Sequence, residues 1–316
     1  MNSRIDRIIL VIFLGITAAL AFLPNFVESE YLLRLITVVI FWIGIAGCWN
    51  MMSGYTGYID FGPVVYFGIG SYVVAIAMTK YGIPFFPSLL LSGIMSSLVA
   101  FLVGIPTLRL RGAYFAIATF AFAEAMKQIT LEFDRTFSVS FFQGSDGITL
   151  PISGHDNSFF FYCVLPVTFL VVLAHYFIEH SKFGYGLKAI KEAETAAEIS
   201  GVNTTANKLG AYVSSAFFLG LFGAIEAYWI TYITPSDVFN VQKTVQMVIM
   251  TLLGGMGTFL GPVVGATFLT LVSEALGARF VEYYLIMIGG IIIVAILIMP
   301  NGIIGSLKIR KKFRFI

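Results

Sequence analysis

Apolar runs separated by short polar or glycine-rich breaks repeat along the whole chain. They fall at about Ile8 to Pro24, Leu35 to Met52, Phe61 to Thr79, Phe86 to Ile105, Gly112 to Thr130, Phe159 to Ile178 and Leu209 to Ile230. Two shorter glycine-interrupted segments follow, Thr244 to Gly257 and Gly261 to Leu276, and a last run covers Tyr284 to Met299. Most are close to the roughly 20 residues that cross about 30 Å of hydrocarbon at about 1.5 Å per residue. The pattern predicts an all-α polytopic membrane protein with about ten spans, some broken or short. It reads as one transmembrane domain over residues 1–316. The first run, preceded by Arg4 and Arg7, has the look of either a signal peptide or a first span. Its length and the spans that follow at once favour a retained helix.

Two stretches interrupt the apolar rhythm. Residues 131–158 are polar, rich in glycine and serine, and too irregular for lipid, where every backbone group needs a partner, so they are expected to form an external loop. Residues 182–208 are helix-compatible but polar. Glu192, Glu194, Glu198, Lys188 and Lys191 give the segment charge, while Ala189, Ala193, Ala196, Ala197 and Gly201 keep part of its surface small. It reads either as a plug for a partner's groove or as a solvated connecting helix.

Composition agrees with the membrane reading: 58% of residues are hydrophobic and 11% charged, and mean hydropathy is +0.91. A soluble domain carries about 45 to 50% apolar and about 25% charged residues. The net charge of +2 gives no sign of nucleic-acid binding. Where the charges sit matters more. With both termini inside, Arg4, Arg7, Arg109, Arg111, Lys182, Lys188, Lys191, Lys208 and five tail residues from Lys308 to Arg314 lie on the cytoplasmic side, 13 of the 19 Lys and Arg. That asymmetry predicts an N-in, C-in topology with the polar segment in the cytoplasm. Cys48 and Cys163 lie in apolar runs, and His155, His175 and His180 have no metal-ligand spacing, so neither a disulfide framework nor a metalloenzyme is indicated.

Gly57-Tyr-Ile-Asp-Phe-Gly62-Pro63-Val-Val and Gly257-Thr-Phe-Leu-Gly261-Pro262-Val-Val resemble each other. A glycine followed by proline at a first helical position is how a helix restarts, so Pro63 and Pro262 are expected to open helices after breaks. Such breaks in two halves of a chain are either the pointer to a transport path or a pair of tight surface loops. Asp60, Glu124 and Glu226 are the notable ionisable residues in apolar runs, where charge is costly. Asp60 lies in the first break, and Glu226 falls near an outer end where it can reach water. Gly112, Gly220 and Gly223 are expected at close helix contacts. The spacing of Gly257, Gly261 and Gly265 also suits helix packing, although Pro262 opposes one continuous helix there.

AYFAIATFAFAE (113–124), GSDGI (144–148), FGYGLKAIKEAETAAEISGVNTTANKLGAYVSSAFFLGLFGAI (183–225) and LLGGMGTFLGPVVGA (252–266) resemble the M-type (LivM) permease subunit of branched-chain amino acid ABC importers over nearly the whole chain. The last two stretches are the most specific. The resemblance implies an ABC-importer permease fold in a prokaryotic cytoplasmic membrane. It also implies a second, LivH-type permease, two cytoplasmic ATPase subunits holding ATP and magnesium, and an extracytoplasmic binding protein. This chain would then carry no cofactor, be no enzyme, and meet the ATPase through Glu194, Ala196, Ala197, Glu198, Gly201 and Asn203, a variant of the family's coupling motif. No phosphate loop of the GxxxxGK[ST] type occurs in it. Asp60, Gly62, Pro63, Glu124, Gly257 and Gly261 are candidates for the substrate path. There the dipole of the helix opened by Pro63 would favour a carboxylate, and Asp60 an ammonium. Rival readings are an ABC permease for urea, a sugar or a nucleoside, and a stand-alone secondary transporter or channel.

Overall fold

The computed structural model describes residues 15, 19–27, 29–137, 141–151, 154, 156–280, 283–299 and 302–305. The expected first span lies largely outside the described residues. Eleven helices are described: α1 (Glu30–Trp49), α2 (Pro63–Tyr81), α3 (Phe85–Thr107), α4 (Ala113–Phe137), α5 (Asn157–His180), α6 (Lys182–Ile199), α7 (Thr204–Ile230), α8 (Pro235–Val238), α9 (Val241–Gly254), α10 (Gly261–Gly277) and α11 (Tyr284–Ile298). A two-residue pair of strands, β1 (Ile148–Thr149) and β2 (Tyr232–Ile233), runs antiparallel with Ile148 opposite Ile233. α1 extended to Gly54, together with α2, α3, α5 and α7, is long and apolar enough to cross a membrane. α10 is a shorter apolar helix. α9, at 14 residues, reaches only about 21 Å at about 1.5 Å per residue.

The bundle has two centres. α7 packs along α2 and α3, and α1 lies among α5, α7, α9 and α10. Without water in the lipid core, apolar surface alone gives helices little reason to associate, so close backbone approach and small hydroxyls do the work. A Cβ on Gly70 would run into the backbone of Gly220, and one on Gly223 into the carbonyl of Phe67. Ser71 Oγ donates to the carbonyl of Gly223 at 2.9 Å, Ser96 Oγ to that of Tyr66 at 2.8 Å, Ser215 Oγ to that of Cys48 at 2.7 Å and Thr168 Oγ1 to that of Ile40 at 3.0 Å. Gly220 and Gly223 are thus contact glycines, as expected. Gly112 is not: at φ +57 with nothing near it, it turns the chain between α3 and α4.

The α9–α10 hairpin is held the same way, since a Cβ on Gly265 would strike the carbonyl of Met250 and one on Gly261 that of Gly255. The packing reading of those glycines therefore holds even though Pro262 is present, because α10 starts at Gly261 and Pro262 occupies its first turn. Substituting Gly70 with Val should prevent α2 from seating on α7. The expected result is a protein that inserts but melts well below the wild type, by several degrees in a thermal-shift measurement. An unchanged melting temperature would show that the two backbones separate without cost.

α4 continues to Phe137, seven residues into the stretch expected as loop, and packs only lightly on the rest. It ends where the Asp134 carboxylate accepts the amides of Phe141 at 2.9 Å, Phe142 at 3.0 Å and Gln143, which folds the following turn back onto the helix. The polar segment also differs from one continuous helix. Ala193 has extended backbone (φ −160, ψ 103), so α6 is two pieces joined at a kink, and Ser200–Asn203 turns the chain into α7.

Candidate functional site

The two glycine breaks, 200 residues apart in sequence, meet at one end of the bundle. α1 ends in a π-helical turn over Asn50–Gly54, the wide geometry that recurs at functional positions. Asn50 is fully buried there and bonds across to the second break: its Oδ1 accepts from the amide of Gly257 at 2.8 Å, and its Nδ2 donates to the carbonyl of Thr258 at 3.1 Å. Gly57 and Gly257 take matching left-handed backbones, φ +77 and +75. Only glycine adopts these without strain. The sequence resemblance of the breaks thus becomes a spatial pairing through a residue that the motif comparison did not contain.

The kinked helix α6 lies against both breaks. Lys191 Nζ donates to the carbonyl of Gly54 at 2.9 Å, and a Cβ on Gly257 would come within 3.0 Å of the same Nζ. Burial holds this ammonium below its usual range. Past the kink, Glu194 turns inward. Its Oε1 pairs with Lys208 Nζ at 2.7 Å, and its Oε2 accepts from the Tyr58 hydroxyl. Lys208 also donates to the carbonyl of Leu108 at 3.0 Å and lies over the Tyr58 ring at 4.7 Å. Side-chain exposure of 4% for Lys208 and 12% for Glu194 makes this a sequestered pair. Burial alone would raise the Glu194 carboxyl; the Lys208 and Tyr58 hydrogen bonds and the Lys208 and Arg111 charges outweigh it and hold the group below its ordinary value. Burial first, and then the neighbouring Glu194, push the Tyr58 phenol up. One residue pair thus joins α6, α7, the α3–α4 turn and the first break.

The remainder of the segment faces outward. Glu198 Oε1 accepts from Thr204 Oγ1 at 2.9 Å and lies 3.7 Å from Arg111, an exposed pair of small energetic weight. Ala197 is buried, whereas Ala196, Gly201 and Asn203 are exposed. Gly201, at φ +83, ends the helix in the left-handed conformation, with the Val202 amide bonded back to the carbonyl of Ala197 at 3.0 Å. Asn203 Oδ1 caps α7 by accepting from the Ala206 amide at 3.0 Å. At the apex Ile199 is 89% exposed. An isolated large aliphatic side chain on an otherwise polar tip is the shape of an anchor.

Of the expected path residues, Asp60, Gly62, Pro63, Gly257 and Gly261 all belong to this junction. The Asp60 carboxylate is buried and accepts from the Gly62 amide at 2.8 Å, just ahead of the helix that Pro63 opens. The backbone around it is pinned by Trp49 Nε1 on the Asp60 carbonyl at 2.9 Å and by the Thr119 hydroxyl accepting the Phe61 amide at 3.1 Å. Burial pushes the Asp60 carboxyl up to about 7, against the opposing pull of the Gly62 amide and the Thr119 hydroxyl. Glu124 lies elsewhere, half exposed near the middle of α4, with Lys127 Nζ at 3.2 Å and Gln128 Nε2 at 3.2 Å. Sequence reasoning passed over Asn50, Tyr58, Lys208 and Ile199 as functional positions. Lys208 carries a signal in the sequence, a cation next to a span, but the charge asymmetry alone reads it as topology.

Five described helices long and apolar enough to cross a membrane, with two paired breaks and a polar element bonded beside them, give the build of a multi-pass membrane protein. The family model for the permease component of branched-chain amino acid transport systems matches residues 31–296, and the chain belongs to that family. It is 28% identical to the high-affinity branched-chain amino acid transport system permease protein LivM of Escherichia coli (strain K12), over 96% of this chain and 77% of that one. Identity to LivM of Salmonella typhimurium is also 28%, over 84% and 68%. A weaker match, 27% identical over 55% of this chain and 60% of the relative, is to the high-affinity branched-chain amino acid transport system permease protein LivH of Escherichia coli (strain K12). No solved structure matches.

Proposed function

We propose that this chain is the LivM-type permease subunit of an ATP-driven importer and supplies half of a transmembrane path for branched-chain amino acids. A LivH-like permease forms the other half, two ATPase subunits bind ATP and magnesium on the cytoplasmic side, and an extracytoplasmic binding protein delivers substrate. The carrying observation is the braced tip. Ala196, Glu198 and Ile199 stand on, and Gly201 and Asn203 just after, a helix whose inner side holds the first break through Glu194 on Tyr58 and Lys191 on Gly54, with the Lys191 ammonium beside Gly257 of the second. Force applied at the tip has a short mechanical route to the helices that restart at Gly62–Pro63 and Gly261–Pro262. The cation bias at this end, 13 of 19 Lys and Arg under the N-in, C-in assignment, supports a cytoplasmic placement in a prokaryotic inner membrane.

The Glu124–Lys127–Gln128 group supports the half-path reading. α4 carries this charged group near its middle and packs lightly on its own chain, so this face meets water or the second permease. The same scaffold would also serve a permease for another small polar solute. Proteoliposomes containing this chain, its sister permease, the ATPases and the binding protein should accumulate leucine only when ATP is hydrolysed. Accumulation without nucleotide hydrolysis would remove the reading.

A further inference from the structure

At the end of the bundle opposite the polar segment, a cavity of about 430 Å³ opens between α1 and α7. That volume lies in the range of small-molecule sites, about 300 to 1,000 Å³. Its walls combine Val38, Phe41, Trp42 and Trp229 with two charged residues, Arg34 from the start of α1 and Glu226 from the last turns of α7. Glu226 is four-fifths buried and already shares Oε2 with Lys243 Nζ at 2.6 Å. That ammonium rests 4.4 Å over the Phe67 ring, and Phe67 packs edge-on against Phe41. The second Glu226 oxygen has no hydrogen-bond partner among the described residues, and Arg34 makes no ion pair among them.

We propose that this cavity is an entry site for a zwitterionic aliphatic amino acid. Arg34 receives the α-carboxylate, the free oxygen of Glu226 receives the α-ammonium, and the side chain lies against Val38, Phe41 and the two tryptophans. Lys243 holds Glu226 oriented above the Phe67 ring. A guanidinium and a carboxylate at one mouth over an apolar box match the two charges and the branched side chain of such a ligand and suit a neutral sugar or urea poorly. The inference rests on the transport reading for its substrate class.

The test is tryptophan fluorescence of the purified transporter complex, since two of the three tryptophans line the cavity. The probes are L-leucine, leucinamide, which lacks the carboxylate, and 4-methylpentanoate, which lacks the ammonium. The expected result is a saturable change with leucine and binding about tenfold or more weaker for either analogue, as loss of one charge-assisted hydrogen bond implies. Arg34→Gln should erase the preference over leucinamide. Glu226→Gln with Lys243→Met, which avoids a stranded cation, should erase the preference over 4-methylpentanoate, with thermal melting used to confirm that each variant is folded. Folded variants that keep wild-type preferences overturn the site. So does a complex that transports leucine without any saturable response, and that outcome leaves the transport reading standing. Zwitterion-dependent binding by a complex that accumulates no leucine supports the site and removes the reading.

Discussion

Ile199→Asp should abolish ATP-dependent uptake and co-purification of the ATPase subunits while leaving insertion and thermal stability unchanged. The side chain is 89% exposed and its neighbours Glu198 and Ser200 are exposed and polar, so its own chain gains little from it. A partner groove that seats it gains a desolvated anchor. Hot-spot truncations cost about 2 kcal/mol or more, and 1.4 kcal/mol is a factor of about ten, so association should weaken by about 30-fold at least. Placing a carboxylate in an apolar groove adds the penalty of an unpaired buried charge. Ile199 separates docking from folding more cleanly than Glu198, whose carboxylate also holds Thr204 and faces Arg111. Wild-type uptake by the variant would show that the tip contacts its partner through other residues.

What was legible in the sequence follows from how local each signal is. Spans such as α3 and α7 are written in continuous apolar runs, and the restarts at Pro63 and Pro262 in two-residue motifs, so both were readable. The polar segment announced itself by contrast with its surroundings. Its kink at Ala193 did not, because alanine favours helix and the break shows only in the fold, where Glu194 on the next position meets Lys208. α4 outran its expected end because Glu132, Asp134 and Arg135 look like loop. In the fold Asp134 instead binds the amides of the following turn, and Arg135 lies in the last helical turn, where a cation suits the helix dipole. Asn50 is the clearest case of illegibility. One amide in an apolar run has no pattern, and its role exists only because Gly257 and Thr258, some 200 residues later, present an amide and a carbonyl to it. The inward and outward halves of the polar segment were likewise inseparable by composition, since Glu194 and Glu198 read alike and only packing buries the first.

That buried first carboxylate sets the second large expectation. Lys208→Met removes the cation from a pair that is almost entirely sequestered, leaving Glu194 with the Tyr58 hydroxyl and the solvent-exposed Arg111 at 3.6 Å. Stranding one member of a buried ion pair costs about 3 to 5 kcal/mol, whereas replacing both members with neutral side chains of similar volume is often close to neutral. The single variant should therefore lose about 6 to 20 °C in melting temperature, at about 2 to 4 °C per kcal/mol for a chain approaching this size, and should lose uptake with it. The double variant Glu194→Gln, Lys208→Met should regain most of that stability. If the pair is only glue, uptake returns with the fold. If it transmits motion from the tip to the first break and the α3–α4 turn, the double variant folds, binds the ATPase through Ile199, hydrolyses ATP and moves no leucine. Hydrolysis without transport in that variant is the expected outcome, and restored transport at the wild-type rate would reduce the Glu194–Lys208 pair to a packing element.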